Sequence, residues 1–410
     1  MSAWSVLGLA LAIIGALLGA PGLILLGALT LLSRWLTTLW SRYGLRAISY
    51  QRRLGSDRAV WGDEVALDVD VWNGKLLPLP YLLADDFTTD GLAIQGRRLA
   101  ASDLPGHGSL QNSWSLLWFE RVIRHLRIEA RRRGVFTFGP IRLTVSDLFE
   151  RGTNSEEREL PATLIVRPRS VPVRSSEPAR APLGSTRASS SLFHDPALFA
   201  GVRPYVPGDP MRRLHWRASA RLDRPVSKRF EPVHERQVLL ALDLQTVEGP
   251  HWLMLYDDEM VEGLCVAAAS IARRVLREGA ASGLLAGAQL SGGGQWTYLA
   301  PDAAPGQLGR LEDALARMRP LIAAPFEVLL DAVPRLLPPG ATVITIGARD
   351  PSPYAARLRR LRRSGFRTEH AALGPSAQEH CAQLHALGLR ARVAELNPDW
   401  QSADALVLAG

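Results

Sequence analysis

The chain has 410 residues, a formal net charge of +8 and a pI near 10.0, which is length enough for two or three domains. Nearly all of the basic charge is arginine, with Lys75 and Lys228 the two lysines, and it is interleaved with acids rather than gathered into one run. Without zinc-finger spacing or an aromatic RNA-binding signature, this pattern argues against a nucleic-acid partner. Two isolated cysteines, Cys265 and Cys381, exclude a disulfide framework and suit a reducing compartment.

Trp4 to Leu32 carries no charged side chain and is rich in Leu, Ala, Ile and Gly, the composition of a membrane segment. Pro21-Gly22 interrupts it, leaving two apolar runs that are each short for a span of about 20 residues. Two readings are open: one kinked span, or a tight helical hairpin. Arg34, Arg42, Arg46, Arg52 and Arg53 follow, so the positive-inside rule places the rest of the chain in the cytoplasm. Trp35, Trp40 and Tyr43 fall where interfacial anchors sit. Residues 1–40 are thus expected to be an anchor to the lipid bilayer of the inner (cytoplasmic) membrane.

Residues 45–170 read as a small antiparallel β-sandwich. Glu64–Trp72, Arg124–Arg131, Val135–Phe138, Ile141–Val145 and Thr163–Val166 alternate apolar and polar residues between Gly, Pro, Asn and Asp. The adjacent Asp85-Asp86 reads as loop charge. Residues 171–202, rich in Pro, Ser, Arg and Ala without apolar period, read as a linker.

The next stretch, 203–234, runs RPYVPGDPMRRLHWRASARLDRPVSKRFE over its first 29 residues. Pro207-Gly208 is a turn signal, Asp209 stands at an N-cap position and Pro210 at the first helical position. Met211, Leu214, Ala218 and Leu222 then recur at helical spacing and would face a core. Arg212, Arg213, Trp216, Arg217 and Arg221 fall on the other side, where like charges four apart call for an acidic or aromatic answer.

This string resembles the signature of the bacterial family called "domain of unknown function 58", mapped onto Arg203, Tyr205, Gly208, Asp209, Arg212, Trp216, Ala220, Arg221 and Glu231. Pro204 departs from it, standing where the family carries an acid. The segment from Arg132 to Gly152 resembles the family too, with Leu148 and Glu150 altering the turn after Asp147. The resemblance favours the hairpin reading of the amino terminus. Two roles remain open for the signature: a partner-binding surface, or an internal clamp of turn, cap and Arg–Trp stacking.

Residues 235–410 read as an α/β domain. Gln237–Leu244 and Thr342–Gly347 are continuous apolar runs, as buried parallel strands would be. A helix is expected from Asp258 to Glu278, with Asp257-Asp258-Glu259 at its positive end. Ser282–Gln289 and Trp296–Leu299 read as a hairpin around Ser291-Gly292-Gly293-Gly294, which lacks the ending of a phosphate loop. Further helices (306–318, 325–336, 353–364, 377–387) alternate with strands (367–372, 391–395), implying a doubly wound sheet.

An aspartate closing the first strand resembles the von Willebrand factor A-type domain, the fold this family implies for its carboxyl half. That fold holds Mg²⁺ on an Asp-x-Ser-x-Ser loop. Here the loop is Asp243-Leu244-Gln245-Thr246-Val247; both serine positions are lost, so Asp243 and Asp350 make a degenerate site and no cofactor is expected. No elbow, zinc or P-loop motif supports catalysis. The expectation is a membrane-anchored scaffold, not an enzyme; the resemblance implies action with a MoxR-type AAA+ ATPase in chaperone-like assembly or maturation. The alternative is an enzyme of unrecognised type around Asp209, Arg212 and His215, with His215 as general base.

Overall fold

The computed structural model describes residues 3–146, 153–175, 199–206, 211, 214–230, 236–249, 256–290, 296–322, 324–396 and 399–410. The chain divides into two compact units, Met1–Arg169 and Ser170–Gly410.

The first unit opens with two apolar helices, α1 (Ala3–Leu17) and α2 (Pro21–Tyr43). They are joined by a turn in which Gly19 takes φ +60. Pro21 occupies the first turn of α2, where its missing N–H costs nothing. The helices form a hairpin because glycines let their backbones touch. A Cβ on Gly15 would lie 2.7 Å from the Ile24 nitrogen, and one on Gly27 2.6 Å from the Ala12 nitrogen. At 15 residues α1 is about 22 Å long, short of a ~30 Å hydrocarbon core. Pro21–Trp40 is long and apolar enough to cross a membrane. Its large side chains face outward rather than into a protein core, Leu25, Leu26, Leu29 and Leu32 among them.

Eleven strands follow: β1 (Ile48–Leu54), β2 (Arg58–Val60), β3 (Glu64–Asn73), β4 (Leu79–Thr89), β5 (Ala93–Ile94), β6 (Ala100–Ala101), β7 (His107–Leu116), β8 (Arg121–Glu129), β9 (Gly134–Ser146), β10 (Thr153–Arg158) and β11 (Ala162–Arg167). They form two sheets, ordered β1-β3-β8-β5 and β2-β11-β9-β4-β7-β6, with β10 paired to β9. All pairs are antiparallel except β2 with β11. Alternation in β3 sends Val65, Leu67, Val69 and Val71 into a core shared with Leu82, Ala84, Leu110 and Leu143 of the other sheet. The segments expected as strands at 135–138 and 141–145 are one strand running through Gly139-Pro140.

Asp85-Asp86 is not loop charge. Both lie in β4, and Asp86 is fully buried, accepting from Arg52 at 2.7 Å and from the Tyr50 hydroxyl at 3.0 Å. Burial outweighs the arginine and raises the Asp86 carboxyl to about 6.

In the second unit an edge strand, β12 (Val173–Ser175), falls within the stretch expected as linker. It is followed by β13 (Phe199–Pro204), α3 (Trp216–Leu222), β14 (Val226–Phe230), β15 (Gln237–Leu242), α4 (Asp258–Arg277), β16 (Ala281–Ala286), β17 (Ala288–Leu290), β18 (Thr297–Asp302), α5 (Gln307–Arg317), β19 (Met318–Ile322), α6 (Phe326–Leu336), β20 (Thr342–Gly347), α7 (Ser352–Arg363), β21 (Arg367–Ala372), α8 (Ala377–Ala386), β22 (Arg390–Leu396) and β23 (Leu406–Ala409). The main sheet is ordered β12-β23-β22-β21-β20-β15-β16-β18, and its five central strands are parallel.

Helices cover both faces. Val238, Leu240 and Leu242 pack with α4 and α5, whereas Leu239 and Ala241 pack with α6, α7 and α8. A strand buried on both sides needs no polar alternation, which is why QVLLAL is apolar throughout. Asp257 caps α4 by accepting from the Glu259 and Met260 nitrogens. From β15 the chain steps outward to β16 on one side and later to β20 on the other. The crevice between the β15 and β20 ends is therefore a topological switch point.

Replacing Gly27 with leucine forces a side chain against the backbone of α1. Gly27→Leu is expected to lower the melting temperature of the detergent-solubilised chain. Gly22→Leu, at a position with no atom within 4 Å of the added carbon, should leave it unchanged.

Candidate functional site

The signature stretch folds as a hairpin with a short helix set against it. β13 and β14 pair antiparallel from Phe199 opposite Phe230 to Pro204 opposite Val226. The Tyr205 nitrogen donates to the Pro225 carbonyl at 3.0 Å, and that of His215 to Val226 at 2.9 Å. The Ser219 hydroxyl of α3 accepts from the Val226 nitrogen at 3.0 Å, tying the helix to β14. The helix starts at Trp216, later than the expected Pro210, because His215 is its N-cap: Nδ1 accepts from the Ala218 nitrogen at 3.1 Å.

That start changes which residues are covered. Leu214 is buried, but Met211 and Leu222 are exposed and none of the seven residues of α3 is buried. The expected apolar face toward a core is therefore absent: two turns held by side-chain caps do not depend on one. Trp216 is 67 % exposed, and Arg217, Ala220 and Arg221 are exposed beside it in sequence. Arg203 is half-buried and its guanidinium donates to the Pro204 carbonyl at 3.3 Å; Tyr205 is half-buried. Gly208, Asp209, Arg212 and Glu231 lie outside the described residues, as do Asp147 and the glycine run at 292–294.

The second cluster fills the switch point. Asp243, just past β15, is buried; its nitrogen donates to Ile346 at 2.9 Å and its Oδ1 accepts from the Gln245 nitrogen at 3.2 Å. Its Oδ2 accepts from Arg349 Nε at 2.7 Å, and the same guanidinium reaches Glu327 at 3.0 Å. Arg349 also lies 5.5 Å over the Tyr354 ring. Gly347 permits this convergence: an added Cβ would sit 3.4 Å from the Asp243 Cβ and 3.4 Å from the Tyr354 hydroxyl. Burial raises Asp243 to about 6, although Arg349 opposes the shift. His370, buried and accepting or donating through Nδ1 to Thr345 at 2.9 Å, is pushed down to about 3 by desolvation and is neutral near pH 7.

Residues 201–302 match the family model described as protein of unknown function DUF58.

The DUF58 match begins in β13 and ends with β18, so it takes in the signature hairpin and Asp243 but not Arg349 or Glu327. The chain is also similar to the uncharacterized protein YeaD of Bacillus subtilis (strain 168), at 25% identity over 249 residues. That alignment covers 60% of this chain and 57% of YeaD. Among solved structures, the CARDB domain of a Pyrococcus furiosus protein is 13% identical, covering 29% of this chain and 91% of its own, with a TM-score of 0.20. A cohesin module from a Clostridium perfringens family 33 glycoside hydrolase is 9% identical, covering 29% and 96%, with a TM-score of 0.21. Likenesses of that TM-score carry no argument about this chain.

Within and beyond the DUF58 stretch, the two acids proposed as a degenerate metal pair are engaged separately. Asp350 turns its Oδ1 to the Ser352 nitrogen at 3.0 Å and hydroxyl at 2.8 Å, at the start of α7. Asp243 is answered by a guanidinium supplied one residue before Asp350. Gln245 and Thr246 serve the loop itself: Gln245 Nε2 donates to the Val247 and Gly249 carbonyls, and the Thr246 hydroxyl accepts from the Asp257 nitrogen at 2.6 Å. Among the described residues, no group of three His, Cys, Asp or Glu side chains could hold a metal ion. Arg349, Glu327, Tyr354 and His370 were not singled out from sequence, because only the strand order brings them to Asp243.

Removing Arg349 leaves a buried carboxylate without its cation. Arg349→Met is expected to raise the Asp243 midpoint above about 6, read by carboxyl-carbon NMR titration. Unfolding at pH 7.5 should become easier by roughly 3–5 kcal/mol. A carboxyl raised in the folded state stabilises fully below its unfolded value of 3.8 and loses that contribution as pH rises through its folded value. The part of the variant's deficit that comes from this titration is therefore expected to shrink as pH falls from 7.5 toward about 6, and to change little below that.

Proposed function

We propose that this protein is a membrane-anchored adapter whose signature helix docks a partner, and that it is not itself an enzyme. The observation that carries this reading is the exposure of Trp216 on a helix that also exposes Arg217, Arg221 and Leu222 and is held by backbone and side-chain bonds to β14. Trp and Arg are the side chains most enriched at binding hot spots, and a rigid base lowers the ordering cost of docking. The net positive character of the helix favours an acidic surface on the partner.

The family resemblance supplies the partner class: a MoxR-type AAA+ ATPase, with ATP hydrolysed there and client proteins assembled or matured as a result. The carboxyl-terminal unit is read as a von Willebrand factor A-like domain. Its strand-end aspartate and helices on both faces support that reading, and Arg349 takes the place of a cation at Asp243. Arg42 and Arg46, beyond the Pro21–Trp40 span, and Arg34 toward its carboxyl end favour a cytoplasmic location for both units, beneath the inner membrane. The alternative enzyme site around Asp209, Arg212 and His215 is weakened by the engagement of His215 Nδ1 as a helix cap.

A photoreactive residue in place of Trp216 or Arg217, followed by mass spectrometry of the crosslinked species, tests the reading. An AAA+ protein among the products is expected. Trp216→Ala should cut its recovery about tenfold or more, the effect of a 1.4 kcal/mol hot spot, without lowering the melting temperature. Crosslinks found only within the chain would make the signature an internal clamp and sink the proposal.

A further inference from the structure

Three consecutive apolar side chains stand open to solvent between β7 and β8: Leu117 at 57 %, Trp118 at 59 % and Phe119 at 56 % exposure. Leu76, in the neighbouring loop between β3 and β4, is 74 % exposed. Single exposed apolar residues need no explanation, but a run of three beside a fourth does. Phe119 also holds φ +54, a left-handed conformation unfavourable for a bulky residue. The loop is nonetheless firmly built. Buried Asn73 donates to the Leu117 carbonyl at 2.7 Å and to Leu77 at 3.0 Å, while the Glu120 carboxylate accepts from the Leu117 nitrogen at 2.6 Å. The Phe119 nitrogen donates to the Lys75 carbonyl at 3.3 Å, joining the two loops.

The loop between β3 and β4 is in turn bonded to the end of α2 and the residues just after it. Lys75 Nζ donates to the Gly44 and Arg46 carbonyls at 2.7 Å each, and the Gly74 nitrogen to Ala47 at 2.8 Å. Trp40 Nε1 donates to the Pro78 carbonyl at 2.8 Å. The apolar span ends at Trp40, and the four residues from there to Gly44 rise about 6 Å along the helix. The headgroup layer on each side of a bilayer is itself roughly 5–8 Å deep. Lys75 and Pro78, bonded to Gly44 and Trp40, are therefore at headgroup depth whenever the helix crosses. Exposed Trp35 and Tyr43 lie on the same helix, with Arg46 stacked 4.6 Å over the Tyr43 ring, the composition of an aromatic and basic belt.

We infer that Leu76, Leu117, Trp118 and Phe119 form a wedge by which the β domain inserts into the lipid interface beside α2. The occupant of this apolar surface is the bilayer, and the argument is continuity: the loops that carry the wedge are tied through Lys75 and Pro78 to the end of α2. The inference rests on reading Pro21–Trp40 as a membrane segment, so the test separates the two.

The full chain, with buried Cys265 and Cys381 changed to alanine, is reconstituted in vesicles of phosphatidylcholine with a minor share of phosphatidylglycerol. Single cysteines carrying an environment-sensitive fluorophore are introduced as Trp118→Cys, Leu76→Cys, Leu25→Cys or Asp103→Cys. Nitroxide lipids labelled near the headgroup or near the chain end serve as quenchers. Expected are loss of emission at 118 and 76 with the shallow quencher, loss at 25 with the deep one, and none at 103, beyond the far end of β7. Quenching at 25 without quenching at either 118 or 76 would overturn the wedge and leave the anchor standing. No quenching at 25 would overturn the anchor, and the wedge with it.

Discussion

Burying Asp243 takes a carboxylate out of water at a cost of several kcal/mol, which only a cation at hydrogen-bond distance offsets. The chain supplies that cation from the neighbouring parallel strand. Arg349 follows β20, and its guanidinium bonds Asp243 and Glu327 together. The loop after β15, the loop after β20 and the start of α6 are thereby fixed to one another. In an open α/β sheet this is the crevice where ligands enter. Here the crevice is closed by the protein's own charges, and Tyr354, Phe326 and His370 pack behind them.

The switch point is shut, and the open pocket of the carboxyl-terminal unit lies elsewhere, beside Met260, Leu373, Gln378, Leu396 and Trp400. The signature hairpin is built by different means. Hydrogen bonds join β13, α3 and β14, and Met211, Trp216 and Leu222 are left outside. A helix of seven residues with no buried member has little stability of its own. It persists because His215 and Ser219 replace a hydrophobic face with caps and cross-links to β14. Such a helix displays side chains without depending on them for its fold.

The parts legible in sequence are those governed by local pattern. Thr342–Gly347 and Arg367–Ala372 are found at their expected ends, and α4 begins where Asp257 announces it. The continuous apolar runs mark strands covered on both faces, and the two-residue period of β3 marks one covered on a single face. Features set by distant partners were not legible. Asp86 looked like loop charge because Arg52 and Tyr50, its reasons for burial, come from another strand. Asp243 and Arg349 are 106 residues apart, and no spacing rule connects them. Two-residue β5 and β6 carry too little pattern to register, and α3 started late because a histidine cap is not a usual signal.

The junction between α2 and the β domain has a mechanical consequence. Only Gly44 to Ala47 separate the helix from β1, and the carbonyls of Gly44, Arg46 and Ala47 all accept hydrogen bonds from Lys75 or Gly74. Arg158 adds a further bond, to the Ile48 carbonyl at 2.7 Å. These bonds leave little room for a swivel between the helix and β1. Tilting of α2, as a helix does to match a thinner or thicker hydrocarbon layer, must turn the β domain by the same angle. Wherever α2 crosses a bilayer, the thickness of that layer would act as a torque on the protein, with the helix as lever and Lys75 as the pin that keeps it from slipping.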